Sequence, residues 1–216
     1  MIRRLGLSAV LLATVCLPAS WQPAWSATSQ TYEFKVFLGK AQIGRQIFQV
    51  SSEGDRTRIH IDAQFTVKFF YVPVYTYRHT NDEIWEGACL REIRAETDDN
   101  GDSLFVKGLY RNGQIFVQTQ SGSWSGEGCF KTFAYWNYDW LTDGRLLNSQ
   151  TGEVETADIR MIGEETIAVR GVPTQTTHRR IITDKFSIDL WYTLSGKWVA
   201  LQSTTAKGDV LRYALQ

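Results

Sequence analysis

Along most of the chain hydrophobic side chains recur at every second position. Ile59, Ile61, Ala63, Phe65, Val67 and Phe69 fall on one side of an extended run, and Arg58, His60, Asp62, Gln64, Thr66 and Lys68 on the other. A period of two with one dry and one wet face is the signature of an antiparallel strand. Tyr32, Phe34, Val36 and Leu38 repeat it near the start, and Phe186, Ile188, Leu190, Tyr192 and Leu194 near the end. The runs are separated by reversal signals. Asn100-Gly101 and Asn112-Gly113 suit type I′ turns, whose two central residues need positive φ. Gly39-Lys40, Gly54-Asp55, Ser195-Gly196 and Gly208-Asp209 mark four more turns. Signals at such short intervals predict about 11–13 strands. Strands joined by short turns are antiparallel neighbours, and a sheet this large curls. The expected fold is mainly β: a large curved antiparallel meander sheet, half-barrel or open barrel.

One stretch departs from this pattern. Between Lys131 and Asn148 the large apolar residues are Phe133, Trp136, Trp140, Leu141 and Leu147, at spacings closer to a helix face than to a strand. The segment is read as one short helix or ordered loop covering a face of the sheet. No linker or internal repeat interrupts the rest, which is consistent with a single β-rich domain over 27–216.

The first 26 residues read as an address rather than as structure. Arg3 and Arg4 precede an apolar run from Leu5 to Leu17, Pro18 breaks it, and Ala24-Trp25-Ser26 offers small residues at the two peptidase positions. This is the pattern of a signal peptide cleaved near Ser26, and the run falls well short of the roughly 20 residues that span a bilayer. The expected location is periplasmic. Whole-chain charge is balanced, 23 basic against 23 acidic residues, and loss of Arg3 and Arg4 leaves a slight acidic excess. Nucleic acid is therefore not an expected partner, and no later segment is long enough to be membrane-spanning. Cys89 and Cys129 remain after cleavage, and an even count in an exported chain reads as a disulfide. Two buried thiols that never meet, or bonding to a partner, are the alternatives.

Catalytic and metal-binding patterns are weak. His60, His79 and His178 lack zinc-ligand spacing. Asp98-Asp99-Asn100-Gly101-Asp102 resembles the start of a calcium loop, but Ser103 and Leu109 stand where that loop needs glycine and a bidentate acid. Gly122-Ser123-Trp124-Ser125-Gly126 places tryptophan where a nucleophile elbow needs serine. No catalytic residue, metal or cofactor is assigned. The segment from Phe65 to Trp85 is the most distinctive. Aromatics with polar ends supply both apolar area and hydrogen bonds, which is what a ligand groove needs, although they also fill ordinary cores. Phe65, Phe69, Tyr75 and Tyr77 are the candidate wall, with Trp136 and Trp140 on the cover opposite.

Several short motifs together resemble an uncharacterised family of exported bacterial β-rich proteins, a domain of unknown function. They are Ile43-Gly44, Tyr71-Val72-Pro73-Val74-Tyr75, Leu146-Leu147-Asn148, Leu190-Trp191-Tyr192, Gly196-Lys197-Trp198 and Tyr213-Ala214-Leu215. The likeness runs from about residue 31 to the end and implies no activity or cofactor. The architecture is also similar, more loosely, to periplasmic lipoprotein carriers, whose half-barrels hold acyl chains; this is fold analogy alone. The leading expectation is non-covalent binding of an apolar or amphiphilic, lipid-like small molecule in the curved-sheet groove. The alternative is an interaction module docking onto an envelope protein without a ligand, and the third a hydrolase using His79 with Glu83 or a distant Asp.

Overall fold

The computed structural model describes residues 27–204 and 208–216; the leader read at 1–26 lies outside the described residues. Fifteen strands follow in chain order. They are β1 (Thr28–Leu38), β2 (Ala41–Glu53), β3 (Arg56–Phe69), β4 (Val72–Glu86), β5 (Cys89–Asp99), β6 (Asp102–Arg111), β7 (Gln114–Thr119) and β8 (Gly122–Glu127), then β9 (Lys131–Thr132), β10 (Gly144–Leu147), β11 (Val154–Val169), β12 (Val172–Ile182), β13 (Ser187–Thr193), β14 (Trp198–Thr204) and β15 (Val210–Leu215). They form one sheet in the order β8-β7-β6-β5-β4-β3-β2-β1-β15-β14-β13-β12-β11-β10-β9. All neighbours are antiparallel except β9 and β10, which are parallel. The meander is the one expected from the turns. The strand number exceeds the expectation because β9 and β10, of two and four residues, are too short to display a period.

The sheet is not closed; β8 and β9 are its edges. It nevertheless curls far enough for the stretch ahead of β9 to return to the start of β5. There the Cys89–Cys129 disulfide joins the two, across a separation of 40 residues. Beside it the Leu90 N–H donates to the Phe130 carbonyl at 2.9 Å.

The segment from Lys131 to Asn148 is an ordered loop, and no helix occurs among the described residues. Local side-chain bonds explain why. Asn137 Oδ1 accepts from the Asp139 and Trp140 N–H groups at 3.0 and 3.2 Å, and Asn148 Oδ1 does the same for Gln150 and Thr151. Such turns compete with helical pairing. Lys131 Nζ ties the loop by donating to the Trp140 carbonyl.

The core lies on the concave face beneath this loop. Ile59, Ile61, Ala63 and Phe65 of β3 are buried while the alternate side chains face water. The Trp198 ring packs against Tyr32, Phe34, Phe48 and Tyr135 at centroid distances of 4.4–5.7 Å. Mutually tilted aromatics at such spacings contribute beyond their buried area. Gly44 sits where β2 passes tightly over β3: an added Cβ would meet the Gln64 carbonyl oxygen at 1.9 Å.

Because successive strands alternate in direction, the turns at 38–41, 69–72, 99–102 and 119–122 share one end of the barrel-like body with the loops at 147–154 and 182–187. This end is called the upper end below. No helix among the described residues is long and apolar enough to cross a membrane.

Candidate functional site

The residues of β4 decide what the concave face offers. A one-residue register shift between Val67 and Lys68 in the β3–β4 ladder sets the pairs Phe65↔Tyr77, Ala63↔His79, Ile61↔Asn81 and Ile59↔Glu83. Directly opposed residues share a face, so the clear apolar face of β3 carries the odd-numbered residues of β4 inward with it. Tyr75, Tyr77, His79, Asn81, Glu83 and Trp85 thus form a row along the inside of the sheet, largely polar in an otherwise apolar interior.

Between this row and the covering loop lies a cavity of about 240 Å³. Tyr77, His79, Asn81 and Glu83 form one wall. Phe48, Ile61, Phe65 and Leu201 provide apolar surface, and Phe133, Tyr135 and Trp136 of the cover face them. Asn148, Ser149 and Gln150 stand at its upper side, where the Tyr77 hydroxyl donates to Gln150 Oε1 at 3.1 Å. Among the described residues no Lys or Arg lines it. Depressions on the outer surface are wider, such as the furrow of about 860 Å³ along Gly108, Leu109 and Phe116. They are open grooves between strands, whereas the inner cavity has sheet on one side and cover on the other.

The polar groups of the wall are held in place. Glu83 is buried and accepts three hydrogen bonds, from Asn81 Nδ2 and Trp85 Nε1 at 2.8 Å each and from Thr132 Oγ1 at 3.2 Å. Burial pushes its carboxyl pKa above the usual range, and the three donors pull it back in part. His79 Nδ1 and Thr97 Oγ1 share a hydrogen bond of 2.8 Å, and burial lowers the imidazole pKa to about 4. Tyr77, Tyr135 and Tyr213 are all driven further above the ordinary phenol value, first by burial. Asn81 is fully buried, and its Oδ1 has no hydrogen-bond partner among the described residues. A buried acceptor left unpaired is unfavourable by roughly 1–3 kcal/mol.

Of the six residues expected to form a groove, Phe65, Tyr77 and Trp136 line the cavity. The other three stand elsewhere. Trp140 lies behind it, stacked on Trp85 at 5.4 Å and edge-on to Trp136 at 5.1 Å. Tyr75 is nearer the upper end, where its hydroxyl donates to Asp99 Oδ1 at 2.7 Å. Phe69 is exposed at the tip of the β3–β4 hairpin, because β3 runs on past the end of β2 pairing at Gly44↔Phe65. His79 and Glu83 share the cavity but are four strand positions apart, about 13 Å along the backbone, too far for direct proton exchange. Asn81, Thr132, Tyr135 and Tyr213 were not anticipated. Asn81 had a signal, since it shares a face of β4 with Tyr75 and Tyr77 of the expected wall, but the other face is polar too and nothing in the sequence singled Asn81 out.

The fold has a counterpart among solved structures. A β-barrel-like protein of the domain of unknown function DUF1849 from Brucella abortus superposes with a TM-score of 0.62 at 11% identity, over 86% of this chain and 94% of that one. At that identity the likeness concerns the fold alone. No curated protein matches the sequence. A family signature does, across residues 34–216, and with most of its length matched the chain belongs to the family described as Domain of unknown function (DUF6134).

Proposed function

We propose that the protein is a soluble periplasmic binding protein that holds a small amphiphile in the cavity between β4 and the covering loop. The observation that carries this reading is the unpaired Oδ1 of fully buried Asn81, at the polar wall of a cavity that also presents aromatic and aliphatic surface. A filled core would have no reason to keep such an acceptor unpaired, and a ligand N–H or O–H would satisfy it. The absence of Lys and Arg from the lining among the described residues, with Glu83 beside Asn81, favours a neutral or cationic polar end over a carboxylate or phosphate. The volume lies below the roughly 300–1,000 Å³ of pockets for drug-sized ligands, so the occupant is small, or only the head of a larger molecule enters. The disulfide supports an oxidising compartment.

Native mass spectrometry of protein recovered from the periplasm, followed by solvent extraction, tests the proposal. The expected result is a released small molecule that is absent from Asn81→Leu protein of unchanged melting temperature. Preparations that repeatedly carry nothing and take up no apolar dye would refute it.

A further inference from the structure

Strands β3 and β4 outrun their neighbours. Pairing of β2 with β3 ends at Gly44↔Phe65, and pairing of β4 with β5 ends at Tyr77↔Asp99. From Val67 to Tyr75 the ladder pairs the two strands only with each other, through Val67↔Tyr75, Lys68↔Pro73 and Phe69↔Val72. The hairpin therefore projects from the upper end as a two-stranded arm.

Its tip is unusual in two independent ways. Phe70 and Tyr71 occupy the two central turn positions with φ of +46° and +68°, a region that bulky side chains avoid. Elsewhere the same chain meets this demand with small or turn-forming residues: Asn100-Gly101 and Asn112-Gly113 have positive φ at both places, and Arg170-Gly171 keeps glycine at the second. Backbone strain of this kind persists where the side chains it displays are used. Here those side chains face solvent. Phe70 is 81% and Tyr71 94% exposed, and Phe69, Val72 and Val74 are each more than half exposed. The Phe69 and Phe70 rings meet edge to face at 4.5 Å, forming one contiguous apolar point.

We propose that this arm is a membrane-docking wedge that inserts its aromatic tip into the surface of a lipid bilayer. Three features favour lipid over a protein partner. The tip is convex and offers no groove for a complementary surface. The five side chains expose roughly 650 Å² between them, below the roughly 800 Å² that each partner contributes to a standard protein interface. The terminal tyrosine matches the amphipathic aromatics that settle at headgroup level, and the two phenylalanines offer apolar rings to the acyl boundary beneath. Charge does not drive the contact. Among the described residues of this end Lys40, Lys68, Arg78 and Lys185 are outnumbered by Asp98, Asp99, Asp102, Glu153, Asp184 and Asp209, so attachment depends on apolar burial and not on attraction to anionic headgroups. The cavity is flanked at the same end by Asn148, Ser149 and Gln150, so a docked arm would bring that side of the body to the bilayer.

The test is co-flotation of the chain from residue 27 onward, which carries all fifteen strands, with phosphatidylcholine vesicles and with vesicles containing phosphatidylglycerol. The comparison variant carries Phe70→Asn and Tyr71→Gly, the dipeptide that the neighbouring turns already use, so its melting temperature should equal or exceed the parent's. The parent is expected to float with both vesicle types, with less than a two-fold change between 50 and 500 mM salt, and the variant to bind at least ten-fold less. In a second measurement, Phe70→Trp protein should gain blue-shifted emission on adding vesicles, relative to parent protein treated alike. Failure of the parent to float overturns the proposal, as does equal binding by the Asn-Gly variant. Binding confined to anionic vesicles and abolished by salt also overturns it, as does in-cell crosslinking of the tip to a single protein.

Discussion

Neutral burial of His79 makes the protein acid-sensitive through a single side chain. The imidazole is buried on the cavity wall, bonded to Thr97, and its pKa is lowered to about 4 against 6.5 for the free group. Above pH 6.5 both folded and unfolded chains carry it neutral, and it contributes nothing to the pH dependence. Below 6.5 the unfolded chain takes up the proton while the folded one refuses it, so stability falls as pH drops through the interval down to about 4. At about 1.4 kcal/mol per pH unit the full loss is about 3 kcal/mol, most of it present by pH 4.5. The perturbation is His79→Asn, which keeps a donor near the Nδ1 position and removes the titration. Denaturant unfolding of parent and variant at pH 7.5, 6.5, 5.5 and 4.5 separates this effect from general acid destabilisation, which both share. The gap between the two curves should shrink by about 2–3 kcal/mol from pH 7.5 to 4.5. Parallel curves would show that His79 is not held neutral by burial, and the account of the cavity wall as uncharged at that position would fail.

Other outcomes follow from the same geometry. Glu83 behaves oppositely: its folded pKa is raised, so its contribution is present in acid and lost as pH rises above the unfolded value near 4.5. Glu83→Gln should therefore give a flatter stability profile than the parent between pH 5 and 8, measured by the same unfolding series. Replacing both Cys89 and Cys129 by alanine frees a 40-residue loop and should lower unfolding free energy by about 4 kcal/mol, with the cover segment gaining the fastest amide exchange. Gly44→Ala forces a Cβ onto the Gln64 carbonyl and should cost about 2 kcal/mol or more in a thermal melt. Ala63 lies on the neighbouring strand, fully buried against the same interior; Ala63→Leu should shrink the cavity and abolish uptake of an apolar dye at a destabilisation of about 1–3 kcal/mol.

The meander was legible because its signals are local. Alternation along β3 and Asn-Gly at two reversals each depend on a few adjacent residues, and both appear in the structure as read. The candidate site was legible only in part. β4 is polar on both faces, with Thr76, Arg78, Thr80 and Asp82 alternating with Tyr77, His79, Asn81 and Glu83. Which set turns inward depends on the irregularity between Val67 and Lys68. Continuing the Phe69↔Val72 register without it would pair Phe65 with Thr76 and turn the other set to the core. One inserted residue beside the tip therefore selects the chemistry of the cavity, and no composition or period records it. For the cover, the sequence left helix and ordered loop open and the structure has the loop: the helix-like spacing of Trp136 and Trp140 reflects packing around Trp85, while Asn137 supplies the turn.

The first and last strands lie side by side, Phe34 opposite Leu215 and Leu38 opposite Leu211, in the middle of the sheet and away from its edges. A chain synthesised amino end first can form the hairpins from β1 to β8 as they appear, yet one flank of β1 stays bare until the six-residue strand β15 arrives. Assembly of the body is thus gated by its carboxyl terminus. A product stopped short of Val210 would leave two open strand flanks facing each other, a natural mark for proteolytic disposal.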